Sequence, residues 1–150
     1  MSIMHLPDPD PRAAYAPRTA ALIDDFRANG GKVTSGPFAG GDVLLLTTTG
    51  ANSGQPRLAP LVYGRDGDRL VIVASKRGAP THPAWYLNLL ANPIVTVEVG
   101  AETFRARAVV AEGAERDRLF AARVENYPVF GEYQQQTERI LPVVLLERLP

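Results

Sequence analysis

Short apolar runs and tight turns alternate over about sixty residues of this chain, and that rhythm restricts it to a sheet of neighbouring strands. The stretch begins LLLTTTGANSGQPRLAPLVYGRDGDRLVIVASK and runs on into HPAWYLNLLANPIVTVEVG. Its polar residues fall where strands end: Ser53, Arg57, Ser75, Lys76 and His82, with Trp85 and Tyr86 just behind. Packing alone has little need of hydroxyls, cations and aromatics at so many strand ends. Loop positions on a rigid scaffold are where binding chemistry sits.

The pattern predicts a helix over 19–29, stopped by Gly30 and Gly31, then a Gly-rich loop over 30–41. Strands are expected at Val43–Thr49, 58–64, 70–74, Ile94–Val99, 103–111 and 142–147. Pro60 marks its strand as an edge or a bulge. Arg65-Asp66-Gly67-Asp68 reads as a hairpin turn. A helix capped by Thr81 or His82, with Pro83 in its first turn, runs to about Ala91. Further helices are expected over 112–126 and 129–136. Residues 1–17, rich in proline, read as an irregular arm, and 18–150 as one domain. The whole is α+β and mainly β: a small closed barrel with peripheral helices.

Composition excludes several functions. With no cysteine there is no disulfide framework and no thiolate metal site. The two histidines, His5 and His82, lack metal-ligand spacing, so no metal is expected. Sixteen Lys+Arg balance sixteen Asp+Glu, which argues against a nucleic-acid partner. No apolar run approaches the roughly eighteen residues of a membrane span. The N-terminus lacks the basic-then-apolar order of a signal peptide, so the cytoplasm is the expected compartment. Contact of the arm with a membrane surface stays open.

Three clusters carry chemistry, and each has a plainer reading. The turn Thr47–Gly54 exposes backbone N–H groups and is followed by Arg57; it is an anion nest or an ordinary hairpin. Ser75-Lys76 is a solvated strand end or a contact for a phosphate or carboxylate. Trp85, Tyr86, Leu89 and Leu90 form a helical apolar face, either core or a wall for a flat ring. His82 reads as a cap before a catalyst, and Asn88 as a helix cap or a hydrogen-bonding partner for a ring edge. Tyr127, Phe130 and Tyr133 recur every three residues, as a core stripe or a substrate wall. Glu112 to Arg118 reads as a solvated helix face with i,i+4 pairs. No hydrolytic constellation or dinucleotide fingerprint is visible.

The fragments TTTG-x-x-SGQPR-x-x-PLVYGRDGDRLVIVASK and HPAWYLNLLANP-x-V-x-VEVG, in that order and spacing, resemble the deazaflavin-dependent nitroreductase family. The resemblance runs from about Val43 to Leu146. It implies a split β-barrel of the FMN-binding, pyridoxamine-phosphate-oxidase-like kind and the deazaflavin coenzyme F420. It also implies hydride transfer from the reduced coenzyme to an electrophilic small molecule: an enone, a quinone or a nitroaromatic. The implied coenzyme contacts are Ala51, Asn52, Ser53 and Arg57; Leu58, Ala59, Pro60, Leu61 and Val62; Val73, Ala74, Ser75 and Lys76; and Ala84, Trp85, Tyr86, Leu87 and Asn88. Trp85, Tyr127, Phe130 and Tyr133 would face substrate. Tyr127, or a pocket water, would donate the proton, with Ser75 as the second catalytic candidate. Relatives often read G-R-K-S-G where this chain has Ala51 and Asn52, and they carry a tyrosine where it has Phe130. Split barrels also host FMN, so the alternative is a non-catalytic or FMN-binding protein carrying a flavin or an apolar ligand. Monomer and homodimer are both compatible with the sequence.

Overall fold

The computed structural model describes residues 17–150. The arm expected over 1–17 lies outside the described residues, except for Pro17, which opens the first helix. The elements are α1 (Pro17–Ala28), β1 (Val43–Thr49), β2 (Pro56–Val62), β3 (Gly64–Asp66), β4 (Arg69–Val73), α2 (Ala84–Ala91), β5 (Ile94–Val99), β6 (Glu102–Val110), α3 (Gly113–Asn126), α4 (Val129–Gln135) and β7 (Val143–Arg148). A one-turn 3-10 helix, Lys76–Gly78, follows β4.

All strand pairs are antiparallel, in the order β2-β1-β5-β6-β7-β4-β3. The two outermost strands, β2 and β3, are separated in sequence by Tyr63 alone. One bent segment therefore pairs with β1 at one end of the sheet and with β4 at the other, and so curls the sheet into a barrel. The single strand expected over 58–64 is thus two, broken at Tyr63, and the first begins earlier, at Pro56. Pro60 sits opposite Leu45 in unbroken pairing on an outermost strand, where its missing N–H costs no ladder bond.

Continuous apolar strands are buried on both faces. In β1, Leu44 and Leu46 point into the barrel, while Val43 and Leu45 pack with Ile23 and Phe26 of α1. In β4 and β7, Ile72, Val144 and Leu146 face inward, while Val71, Val143 and Leu145 meet Leu119 of α3 and Phe130 of α4. β5 alternates instead, with Val95, Val97 and Val99 all inside. Each fully buried aliphatic side chain stabilises the fold by about 1.5–3 kcal/mol. Arg27 of α1 grips Glu98 of β5 with two 2.9 Å hydrogen bonds.

Two expectations are corrected here. The arginines of α3 do not pair along their own helix at i,i+4. Arg118 reaches Asp66 on β3 at 3.0 Å, and Arg116 reaches the Leu141 carbonyl at 2.7 Å. The second helix starts at Ala84 with Pro83 just outside it and no side-chain cap. The Thr81 hydroxyl instead accepts a hydrogen bond from Lys76 Nζ at 3.0 Å.

Candidate active site

Two cavities meet at Trp85, whose side chain borders both. The smaller, about 370 Å³, lies between the 50–54 turn, the start of β2 and α2. The larger, about 1420 Å³, lies between β2, the end of β4, the 35–42 loop and α4. That exceeds the usual few hundred to about 1,000 Å³ of a small-ligand site and leaves room for two ring systems.

The 50–54 turn is tight because Gly50 has no Cβ; one added there would collide with Ser53 Oγ. Ser53 Oγ accepts hydrogen bonds from the Gln55 N–H at 3.1 Å and from Arg57 Nη2 at 3.2 Å. Arg57 also donates to the Pro56 carbonyl, and it has no carboxylate partner among the described residues. Asn88 is buried beneath the turn. Its Oδ1 accepts the Ala51 N–H at 3.0 Å and its Nδ2 donates to Thr48 Oγ1 at 3.1 Å.

At the other side of Trp85, Ser75 and Lys76 border the large cavity. Lys76 and Arg77 adopt left-handed φ of 45° and 55°, a conformation that side chains with a Cβ rarely take. Lys76 Nζ donates to the Thr81 hydroxyl, and its charge too has no carboxylate partner among the described residues. His82 Nδ1 lies 3.1 Å from Arg139 Nη1, whose N–H donates to it. Burial, and then the Arg139 charge, hold the imidazole below its ordinary value of 6.5.

The far wall is aromatic. Tyr127, Phe130 and Tyr133 stack edge to face, with centroids 6.1 and 6.4 Å apart, and all three border the large cavity. Phe130 is also a core residue, so the stripe serves both readings made of it. The Tyr127 hydroxyl accepts the Asp42 N–H at 3.2 Å, which leaves its own O–H free to donate.

Most residues anticipated from the sequence border one cavity or the other. Ala51, Asn52, Ser53, Arg57, Leu58, Ala59, Ala84 and Asn88 surround the small one. Pro60, Leu61, Val62, Val73, Ser75 and Lys76 surround the large one. Three residues do not line either. Ala74 is fully buried, Tyr86 belongs to the barrel core, and Leu87 is 49% exposed away from both. Asn88 borders the small cavity and also clamps the turn, with Oδ1 on the Ala51 N–H and Nδ2 on the Thr48 hydroxyl. His82 is neither a cap nor a cavity residue; it accepts from Arg139. The 35–42 loop, Leu22 of α1 and Arg77 also border the large cavity, and sequence reasoning missed all three. Glycine density marked that loop but carried no indication of what it would face.

The profile of the F420H(2)-dependent quinone reductases matches residues 19–148. The chain belongs to that family. An F420H(2)-dependent quinone reductase of Mycobacterium tuberculosis is 46% identical over 108 residues, spanning 70% of this chain and 72% of that one. A solved F420-H2 dependent reductase, FDR-A, is 42% identical with a TM-score of 0.66, over 71% of this chain and 94% of that one. A second solved structure, described as a domain-swapped dimer, is 36% identical with a TM-score of 0.68, over 88% and 100%. The heme storage protein HutZ of Vibrio cholerae, 17% identical with a TM-score of 0.57 over 85% and 88%, shares the fold alone. The fold is accordingly the split β-barrel. As a member of the F420H(2)-dependent quinone reductase family, this protein is an oxidoreductase that works with F420. Its residues fit that coenzyme: two cations without carboxylate partners among the described residues, Arg57 and Lys76, stand on either side of an aromatic partition, beside a cavity wide enough for a tricyclic ring.

Proposed function

We propose that the protein transfers a hydride equivalent from reduced F420 to an electrophilic small molecule of the quinone, enone or nitroaromatic class, with 18–150 acting as a single deazaflavin-binding domain. The observation that carries this reading is the pair of cavities that share Trp85 as a wall, with Arg57 bordering one and Lys76 the other. Ser53 and Arg57 hold the phosphate side of the coenzyme. Ser75 and Lys76 hold the part that enters the large cavity. The β2 segment from Leu58 to Leu61 would border the ring edge, and Trp85 would cover it. When bound, the reduced coenzyme supplies the hydride. Tyr127 supplies the accompanying proton through its free O–H, and the Asp42 N–H steadies its oxygen as that proton leaves. Solvent then restores the proton. Tyr133 and Phe130 form the remainder of the substrate wall. Phe130 offers no hydroxyl, which leaves that wall less polar.

No helix among the described residues is long and apolar enough to cross a membrane. We place the activity in the cytoplasm, on a diffusible substrate, by an enzyme that works as a monomer or a homodimer.

The test is a fluorescence titration with F420, with FMN in parallel. Tight binding of F420 that weakens at least tenfold in Arg57→Ala and in Lys76→Ala supports the reading, at roughly 1.5–3 kcal/mol for each charged contact. Absence of F420 binding at tens of micromolar, or preference for FMN, overturns it.

A further inference from the structure

Arg139 lies in the connection between α4 and β7, and the sequence pattern marks it in no way. Its guanidinium makes an unusual set of contacts. Nε donates to the Ala79 carbonyl at 2.7 Å, Nη2 to the Ser75 carbonyl at 2.7 Å, and Nη1 to the Ala74 carbonyl at 3.1 Å. Nη1 also meets His82 Nδ1 at 3.1 Å. Among the described residues it forms no ion pair. One side chain thus gathers the backbone on both sides of Lys76–Gly78, across about sixty residues of sequence.

That segment needs such a tie. Lys76 and Arg77 both sit in the left-handed region, which persists only where surrounding structure over-determines it. Within the turn there are only two backbone bonds, Gly78 N–H to Ser75 O at 2.9 Å and Ala79 N–H to Lys76 O at 3.0 Å. Gly78 lies so close to the Tyr133 carbonyl that a Cβ there would sit 2.7 Å from it. The turn is therefore pressed onto α4 from behind and held by Arg139 from the side. Arg139 is itself anchored, since its carbonyl accepts from Gln134 Nε2 of α4 at 2.8 Å.

We propose that Arg139 is a positioning residue for coenzyme binding: by gathering the carbonyls of Ala74, Ser75 and Ala79 it holds Lys76 and Arg77 in the one backbone conformation that borders the large cavity, and a neutral His82 is the acceptor that completes its set. The inference rests on the reading of that cavity as the coenzyme site. A guanidinium suits the task because its donors form a rigid planar fork, which an ammonium cannot reproduce. His82 makes the arrangement sensitive to pH. Protonation removes the Nδ1 acceptor and sets two cations about 3 Å apart. Among the described residues, the groups that face His82 are Arg139 and the Tyr86 ring, 4.9 Å away on α2. Burial keeps the Tyr86 phenol above its ordinary value, so it carries no charge to offset the imidazolium.

F420 is titrated against the wild type, Arg139→Ala, Arg139→Lys and His82→Asn, at about pH 7.5 and about pH 4.5, the lower value set well beneath the ordinary histidine value because His82 is held below it. Melting temperatures are taken alongside. Arg139→Ala is expected to weaken binding roughly tenfold or more at the higher pH, with partial rescue by millimolar guanidinium. Arg139→Lys stays weak. The side-chain amide oxygen that His82→Asn introduces can accept from Arg139 and never protonates. That variant therefore keeps its affinity at the lower pH, where the wild type loses affinity several-fold. Wild-type-like binding by Arg139→Ala overturns the proposal. A parallel loss in wild type and His82→Asn at the lower pH also overturns it, and that arm decides the matter if Arg139→Ala does not fold. A wild type that never binds F420 overturns the coenzyme reading itself, and this inference with it.

Discussion

Asn88 Oδ1 accepts the backbone N–H of Ala51 at 3.0 Å, and so ties the helix carrying Trp85 to the turn carrying Ser53. The other end of the same amide donates to Thr48 Oγ1, inside the barrel wall. One buried side chain thus fixes the separation between the aromatic partition and the Ser53–Arg57 pair. Asn88→Ala leaves the Ala51 N–H and the Thr48 hydroxyl without this partner. The expected cost is about 1–3 kcal/mol in urea denaturation, together with weaker F420 binding. Unchanged stability would show that the clamp carries no weight.

Tyr127→Phe removes the hydroxyl and nothing else from the aromatic wall. If Tyr127 supplies the proton, kcat should fall by roughly 10²-fold while the F420 dissociation constant stays as it was. Steady-state kinetics alongside a binding titration separate the two. A kcat within twofold of wild type would assign the proton to water.

Asp66 joins β3 to α3 through Arg118 and closes its own hairpin through Arg69. The Arg118 hydrogen bond, and then that of Arg69, lower its carboxyl from 3.8 to about 2. A carboxyl lowered on folding contributes stability that is fully present above pH 3.8 and is lost as pH falls from there to about 2. Asp66→Asn should therefore flatten the acid limb of the stability curve in that window. The check is thermal melting at closely spaced pH values, and identical limbs for the two proteins would refute it.

Gly64 and Arg123 meet where the bent β2–β3 segment curls the sheet, and a Cβ on Gly64 would overlap the guanidinium. Arg123 is 4% exposed, its side-chain nitrogens have no hydrogen-bond partner among the described residues, and its guanidinium lies 5.4 Å from the centre of the Tyr127 ring. Gly64→Ala should cost about 1–3 kcal/mol, the range for overpacking a filled site. The double variant Gly64→Ala, Arg123→Met should recover part of that loss, which a double-mutant cycle in chemical denaturation would read directly. Strict additivity would mean that the two residues do not constrain each other.

Strand runs, turn residues and helix stops are local properties, set by the steric and hydrogen-bonding preferences of a few neighbouring residues. Val43–Thr49, Ile94–Val99 and the apolar final strand are therefore legible in the sequence itself. The polar strand ends are legible for the same reason, and they lead to Ser53, Arg57, Ser75, Lys76 and Trp85, all of which border the paired cavities. What local preference cannot specify is which distant groups meet. That β2 and β3 are one bent segment at opposite ends of the sheet depends on long-range pairing with β1 and β4. How α2 and α1 pack on the curled sheet decides three further points. Asn88 reaches Ala51 and Thr48, Tyr86 turns into the core, and the 35–42 loop walls the large cavity. Arg139 is the clearest case. Alone it is an ordinary surface cation, and only the return of β7 beside β4 brings it to the carbonyls of Ala74, Ser75 and Ala79, because closing a barrel places chain ends together that no short window of sequence contains.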